Sequence, residues 1–312
     1  MRVALVALVY HDADLFAKML ASVRCGISQP DDAIVVVCNA EDETRLKADG
    51  GVRVVRMFGN EGTGAAFSLG MKVALKRGAD WVWLMDSDGT ATGGTLCAFR
   101  SLYENRYCGD IGIVVPRTYS MINGHQEDTT KAYRTGWYGR QWALYGCGNP
   151  VHADLAGGNG LFIHGACIRD VGGYDPRFFF GYDDTEFTLR VKKAGWGIIH
   201  DPRIVVWHPA KLAKGRLWWF KAWVISWLPP IFRDLRRNAG RYNVRVKPAA
   251  LRHAMYLAPW QWWAVFCYST VVVALKAGVE CVLGVERRSM FADSVRTWLW
   301  CWGERNERAD IH

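Results

Sequence analysis

Apolar runs and helix-patterned segments alternate along the first half of the chain, and that rhythm narrows the fold more than any other feature. Val3 to Val9 is a continuous apolar run, as in a strand buried on both faces. Asp12 to Arg24 carries helical spacing. Ala33 to Cys38 and Val52 to Met57 read as further strands. Gly62 to Lys76 reads as a helix with Ala66, Leu69 and Val73 on one face, and Trp81 to Met85 as a fourth strand. Strand and helix in turn predict an α/β domain, a mostly parallel sheet flanked by helices. Such sheets bind ligands beyond the carboxyl ends of their strands. That points to Tyr10-His11-Asp12, Asn39, Asn60 and Asp86-Ser87-Asp88, each a polar group close behind an apolar run.

The middle of the chain is less regular. Ile111 to Val115 and Gly160 to His164 have strand character, while 117–155 reads as a loop-rich, acceptor-side segment. Asp183 to Ala194 is helical and stops at Gly195. Ile204 to Trp207 closes the domain, whose boundary is expected near residue 210. Beyond it the composition changes. Ten of the sixteen Trp residues follow position 217, mixed with Lys and Arg, in a chain of formal charge +9. Indole suits a membrane interface because its body is apolar and one edge polar. The region 211–312 is therefore expected to be helical and to lie on a membrane surface. Within it, Trp260 to Val285 is interrupted by Lys276 and Glu280 and suits a surface-lying helix better than a span. The nine Cys are scattered without a C-x-x-C pair, which speaks against a zinc knuckle or a disulfide framework and for a reducing compartment.

Two carboxylates in Asp86-Ser87-Asp88-Gly89, directly after a buried strand, can offer hard oxygen ligands to Mg²⁺ or Mn²⁺. An acidic turn would use the same residues; the strand-end position favours the metal. Asp183 and Glu186 have the spacing of a capping box, which leaves Asp184 free to take a proton from a hydroxyl. Asn60-Glu61-Gly62-Thr63-Gly64 ahead of a helix, and Gly157-Gly158-Asn159-Gly160, suit close backbone approach to a donor and tight turns equally well. The expected donor-side set is Asn39, Asn60, Gly62, Gly64, Asp86, Asp88 and Asn159. Other classes fit poorly. A sugar nucleotidyltransferase needs a Gly-rich basic loop after the first strand, where Val9-Tyr10-His11-Asp12 stands. A membrane-bound binding module has no use for Asp86, Asp88 and Asp184 together. No nucleic-acid reading motif is present.

Asn60 to Gly70, Asp86-Ser87-Asp88, Val171 to Asp175 and Asp183 to Arg190, in that order, resemble glycosyltransferase family 2 from about residue 2 to 210. Gly78 to Gly89, Trp207-His208-Pro209, and Arg236-Arg237-Asn238 with Tyr242 are more narrowly similar to actinobacterial galactofuranosyltransferases, with related rhamnosyltransferases sharing much of this. The resemblance implies an inverting enzyme of GT-A fold at the cytoplasmic face of the membrane. Its donor would be UDP-galactofuranose, or dTDP-rhamnose in the alternative, and its acceptor a polyprenyl-diphosphate-linked glycan of cell-wall or surface polysaccharide. It further implies Asp184 as the base and Asp86, Asp88 and His208 as ligands of Mn²⁺ or Mg²⁺. Two departures stand out. Tyr10-His11-Asp12-Ala13 replaces a Thr-x-x-Arg pattern, and Ser87 replaces a third Asp.

Overall fold

The computed structural model describes residues 1–209 except 11, 25, 28–31, 40–50, 105–108, 123, 136–140 and 177–182. Its elements in chain order are β1 (Val3–Val9), α1 (Ala13–Arg24), β2 (Ala33–Cys38), β3 (Val52–Arg56), α2 (Thr63–Lys76), β4 (Trp81–Asp86), β5 (Thr90–Ala91) and α3 (Thr95–Tyr103). Then come β6 (Ile111–Ile122), β7 (His125–Asp128), β8 (Ala132–Thr135), β9 (Gln141–Ala143), β10 (Val151–Ala153), β11 (Leu155–Ala156), β12 (Phe162–His164), α4 (Gly165–Val171), α5 (Asp183–Lys193) and β13 (Gly197–Trp207). The main sheet runs β10-β13-β6-β12-β4-β1-β2-β3, and β11-β8-β9 form a second, small sheet.

The expected α/β architecture holds. β3, β2, β1 and β4 are parallel neighbours, with Leu8 opposite both Val37 and Asp86. β12 is inserted antiparallel between β4 and β6, so the sheet is mixed on that side. Every residue of β1 is buried, as its unbroken apolar run requires. Strand alternation divides them. Ala4, Val6 and Leu8 pack in one core layer with Phe67 and Met71 of α2, while Val3, Leu5, Ala7 and Val9 pack in the other with Phe16, Met19 and Phe99. Burying a side chain such as Phe67 or Met71 contributes roughly 1.5–3 kcal/mol. The α2 helix reaches the sheet closely only because residue 70 is glycine. A Cβ there would stand 2.3 Å from Val6 Cγ1, so a larger residue would push helix and sheet apart.

Two expectations are corrected. The segment 117–155 is not loop-rich: β6 continues to Ile122, and β7 to β10 and the start of β11 lie within it. These strands span two to four residues each, and β7 is largely exposed, so no hydrophobic period marks them. The last strand starts at Gly197 rather than Ile204, running through Asp201 and Pro202. A register shift between Asp201 and Val205 absorbs them, and buried Asp201 is satisfied by Arg203 and by the Tyr103 hydroxyl at 2.9 Å. The helices α3 and α4 had no sequence assignment. The region 211–312, including the Trp260 to Val285 segment, Trp218, Trp219, Trp223, Trp262 and Trp263, the Arg236-Arg237-Asn238 match and Tyr242, lies outside the described residues, as does His11. Among the described residues no helix is long and apolar enough to cross a membrane.

Candidate active site

The polar strand ends gather along one edge of the sheet. β4 delivers Asp86, and a turn closed by Gly89 N to Asp86 O at 3.0 Å carries Asp88 beside it. β5 then pairs antiparallel with β13, Thr90 opposite Trp207, which brings His208 to the same place across 120 residues of sequence. The His208 backbone is held on both sides by β6: its N–H donates to Tyr119 O at 2.9 Å, and its carbonyl accepts from Ser120 Oγ at 2.6 Å. The imidazole Nε2 stands 3.5 Å from Asp86 Oδ2 and 3.2 Å from Asp88 Oδ1. One ligand atom from each of the three lies within 4.8 Å of the others, and all three residues are half-buried. Burial opposes a charge on His208, yet the hydrogen bonds and negative charges of Asp86 and Asp88 outweigh it and push the imidazole up to about 9. A proton therefore occupies the position that a cation could take. Two carboxylate oxygens and one imidazole nitrogen suit Mn²⁺ or Mg²⁺, so the expected ligand set fits.

Asp184 lies in the first turn of α5. Its Oδ2 accepts from Gly158 N at 2.9 Å and its Oδ1 from Thr185 N at 2.6 Å. The next residue, Asn159, accepts with its side-chain oxygen from Asp86 N at 3.0 Å. The dipeptide Gly158-Asn159 thus ties the base candidate to the metal-side carboxylate. The oxygen of Asn159, a residue expected on the donor side, fixes the start of the turn that carries Asp86 and Asp88.

Asp183, read from the sequence as a cap alone, is buried. Desolvation and the neighbouring Asp184 charge push it up to about 7, against the hydrogen bond from Thr63 on α2. Glu186 is fully buried and paired with Arg190 at 2.8 Å. Arg190 in turn donates to the carbonyls of Val171 and Gly173, which ties α5 to the end of α4.

The other expected donor-side residues are Asn39, Asn60, Gly62 and Gly64. Asn39, 3% exposed, accepts from Glu61 N at 2.9 Å and donates to Asn60 Oδ1 at 3.1 Å. Asn60 Oδ1 also accepts from Gly62 N at 3.0 Å. Both amides hold the loop shape. Gly62 has φ +91°, a conformation that disfavours side chains, and Gly64 is buried in the first turn of α2.

Two residues were missed, and a third was pointed to without a partner. Tyr174 ends buried among the carboxylates. Ser120 holds His208. Asp12 donates nothing but accepts from Tyr10 N at 2.8 Å and from the Ser87 hydroxyl. The two departures from the family pattern, after β1 and at position 87, therefore touch each other. Asp12 belonged to a strand-end group that the sequence pointed to, but its contact with Ser87 could not be read without the sheet.

A family model described as "Glycosyltransferase like family 2" matches residues 2–221. The galactofuranosyltransferase GlfT1 of Mycolicibacterium smegmatis is 26% identical over 201 residues, covering 62% of this chain and 66% of that protein. GlfT1 of Mycobacterium tuberculosis is 28% identical over 201 residues, covering 61% of this chain and 64% of its own length. Each match spans less than two thirds of the relative. Among solved structures, S. aureus TarS 1-349 superposes with a TM-score of 0.53 at 14% identity, over 85% of this chain and 83% of that one. GalNAc-T7 with UDP, GalNAc and Mn²⁺ also gives 0.53, at 16% identity, over 72% of this chain and 48% of the other. These two likenesses are likenesses of fold.

Proposed function

This chain belongs to glycosyltransferase like family 2, and on that premise we propose that it transfers a sugar from a nucleotide donor to a glycan acceptor with inversion. The observation that carries the reading is the Gly158-Asn159 link, which joins Asp184 to a compact Asp86, Asp88 and His208 set. Asp86, Asp88 and His208 would hold the cation. Bound there, Mn²⁺ or Mg²⁺ supplies the positive charge that a departing nucleoside diphosphate requires. Asp184 takes the proton of the acceptor hydroxyl as that oxygen attacks the anomeric carbon. Gly158 N and Thr185 N aim its carboxylate. Asn39, Asn60, Gly62 and Gly64 shape the donor side of the pocket.

The GlfT1 relatives favour UDP-galactofuranose as donor, with a polyprenyl-diphosphate-linked glycan as acceptor. The basic, Trp-rich 211–312 region would keep the protein at the cytoplasmic face of the membrane, where that acceptor lies. The test is a panel of nucleotide sugars with Mn²⁺ or Mg²⁺, read by nucleoside diphosphate release. UDP release from UDP-galactofuranose, dependent on metal and acceptor, is expected. Release of dTDP from dTDP-rhamnose alone would move the donor to the rhamnosyl class, and turnover unaffected by chelator would remove the metal role. Flotation of the full chain with anionic vesicles tests the membrane half, and protein left at the bottom contradicts it.

A further inference from the structure

The turn that carries Asp86 and Asp88 is also tied to α1. Between the two acids stands Ser87, 6% exposed, and its hydroxyl donates to Asp12 Oδ2. Asp12 is itself held in place. Its Oδ1 accepts from Tyr10 N at 2.8 Å, and its carbonyl accepts from Phe16 N at 3.0 Å in the first turn of α1. Near the other end of α1, Ser22 Oγ accepts from Ala91 N at 3.1 Å. The stretch from Ser87 to Ala91 is thus fastened to one helix at two points, and its β5 part pairs with β13, the strand that leads to His208. Stability alone does not call for an acid at position 12. Asparagine would serve the start of α1 and the Tyr10 N–H equally. A carboxylate there adds negative charge one hydrogen bond from a turn that already bears two acids.

We propose that Asp12 is a positioning residue for the cation site: through the Ser87 hydroxyl it fixes the turn on which Asp86 and Asp88 stand, so that both carboxylates keep the spacing one divalent ion needs. This rests on the reading of Asp86, Asp88 and His208 as metal ligands. Ser87 gives its hydroxyl to Asp12 and acts on the ligands through the backbone on either side of it. Asn159 braces the same turn one residue earlier, its oxygen accepting from Asp86 N at 3.0 Å. Hydrogen bonds that orient metal ligands in this way change metal affinity by about 10–100-fold.

The test is Mn²⁺ affinity in the presence of UDP, measured by calorimetry on the full chain and on its Ser87→Ala, Asp12→Ala and doubly substituted variants. Ser87→Ala removes the hydroxyl and leaves the Asp12 bond to Tyr10 N in place, so it carries the decision should Asp12→Ala fail to fold. It is expected to weaken Mn²⁺ binding about tenfold. Asp12→Ala is expected to do the same, and the double variant to fall no further than either single one, because all three remove one link. A lowered Tm with Mn²⁺ affinity within about twofold of the parent marks a contact that serves stability only and overturns the proposal. So does a double variant whose loss is the product of the single losses. Asp88→Ala separates the two levels. If it keeps the parent's Mn²⁺ affinity, the ligand assignment falls and the role of Asp12 with it. If it loses Mn²⁺ while Ser87→Ala binds as the parent does, only the role of Asp12 falls.

Discussion

Two acidic pairs meet in this site and are balanced in different ways. Asp86 and Asp88 follow a strand and stand beside an imidazole that carries a proton up to about pH 9. Asp183 and Asp184 open a helix. Among the described residues no cation pairs with them; backbone N–H groups, the Thr63 and Thr185 hydroxyls and the helix start oppose their charge. The first pair is arranged so that positive charge can replace positive charge, as a metal site requires. The second is arranged around a single proton, because two adjacent carboxylates, one of them buried, resist ionising together. Carboxylates at a strand end and at a helix end thus acquire different chemistry from what surrounds them.

The largest expected effects break or confirm that division. Asp184→Asn should lower kcat about a thousandfold while leaving Mn²⁺-dependent UDP binding in calorimetry intact. Asp88→Ala should instead weaken that binding by at least about a hundredfold. Were the two variants to lose binding alike, the separation into a metal pair and a proton pair would be wrong.

A smaller effect sharpens the metal side. Cation binding must displace the His208 proton, so Mn²⁺ affinity should climb about tenfold per pH unit and level off near pH 9. Calorimetry at several pH values, with the number of protons released, checks it. A flat profile would detach His208 from the ligand set.

The smallest effect concerns stability. Asp183 and His208 each bind a proton more tightly in the folded chain than in the unfolded one. Each therefore stabilises the fold at low pH and loses that contribution as pH rises, Asp183 between 3.8 and about 7, His208 between 6.5 and about 9. Asp183→Asn removes the buried charge and keeps an acceptor for Thr63. Its Tm should exceed the parent's at pH 8 by about 2–4 °C, with the gain vanishing near pH 4. A constant difference across pH would mean that Asp183 is not held protonated by burial.

Legibility followed the physics of each segment. β1, β2 and β4 stood out because strands buried on both faces must be apolar throughout, and their ends named Asn39, Asp86 and Asp88. The strands between Thr118 and Ala156 did not, because segments of two to four residues that are partly exposed carry no period. Asp184 was legible as the acid left over once Asp183 was assigned to the helix start, but the burial of Asp183 was not, since a capping residue is ordinarily solvated.

By itself the sequence determined the alternating α/β plan and named the strand-end acids of the candidate site, because hydrophobic period and turn chemistry act over a few residues. Only the tertiary structure decided which of those acids share a site. His208 reaches Asp86 and Asp88 because β5 pairs with β13, and Asp184 is tied to Asp86 because β12 enters between β4 and β6 with Gly158-Asn159 at its head. Those are pairings between segments far apart in the chain, set by backbone hydrogen bonds that no local pattern encodes.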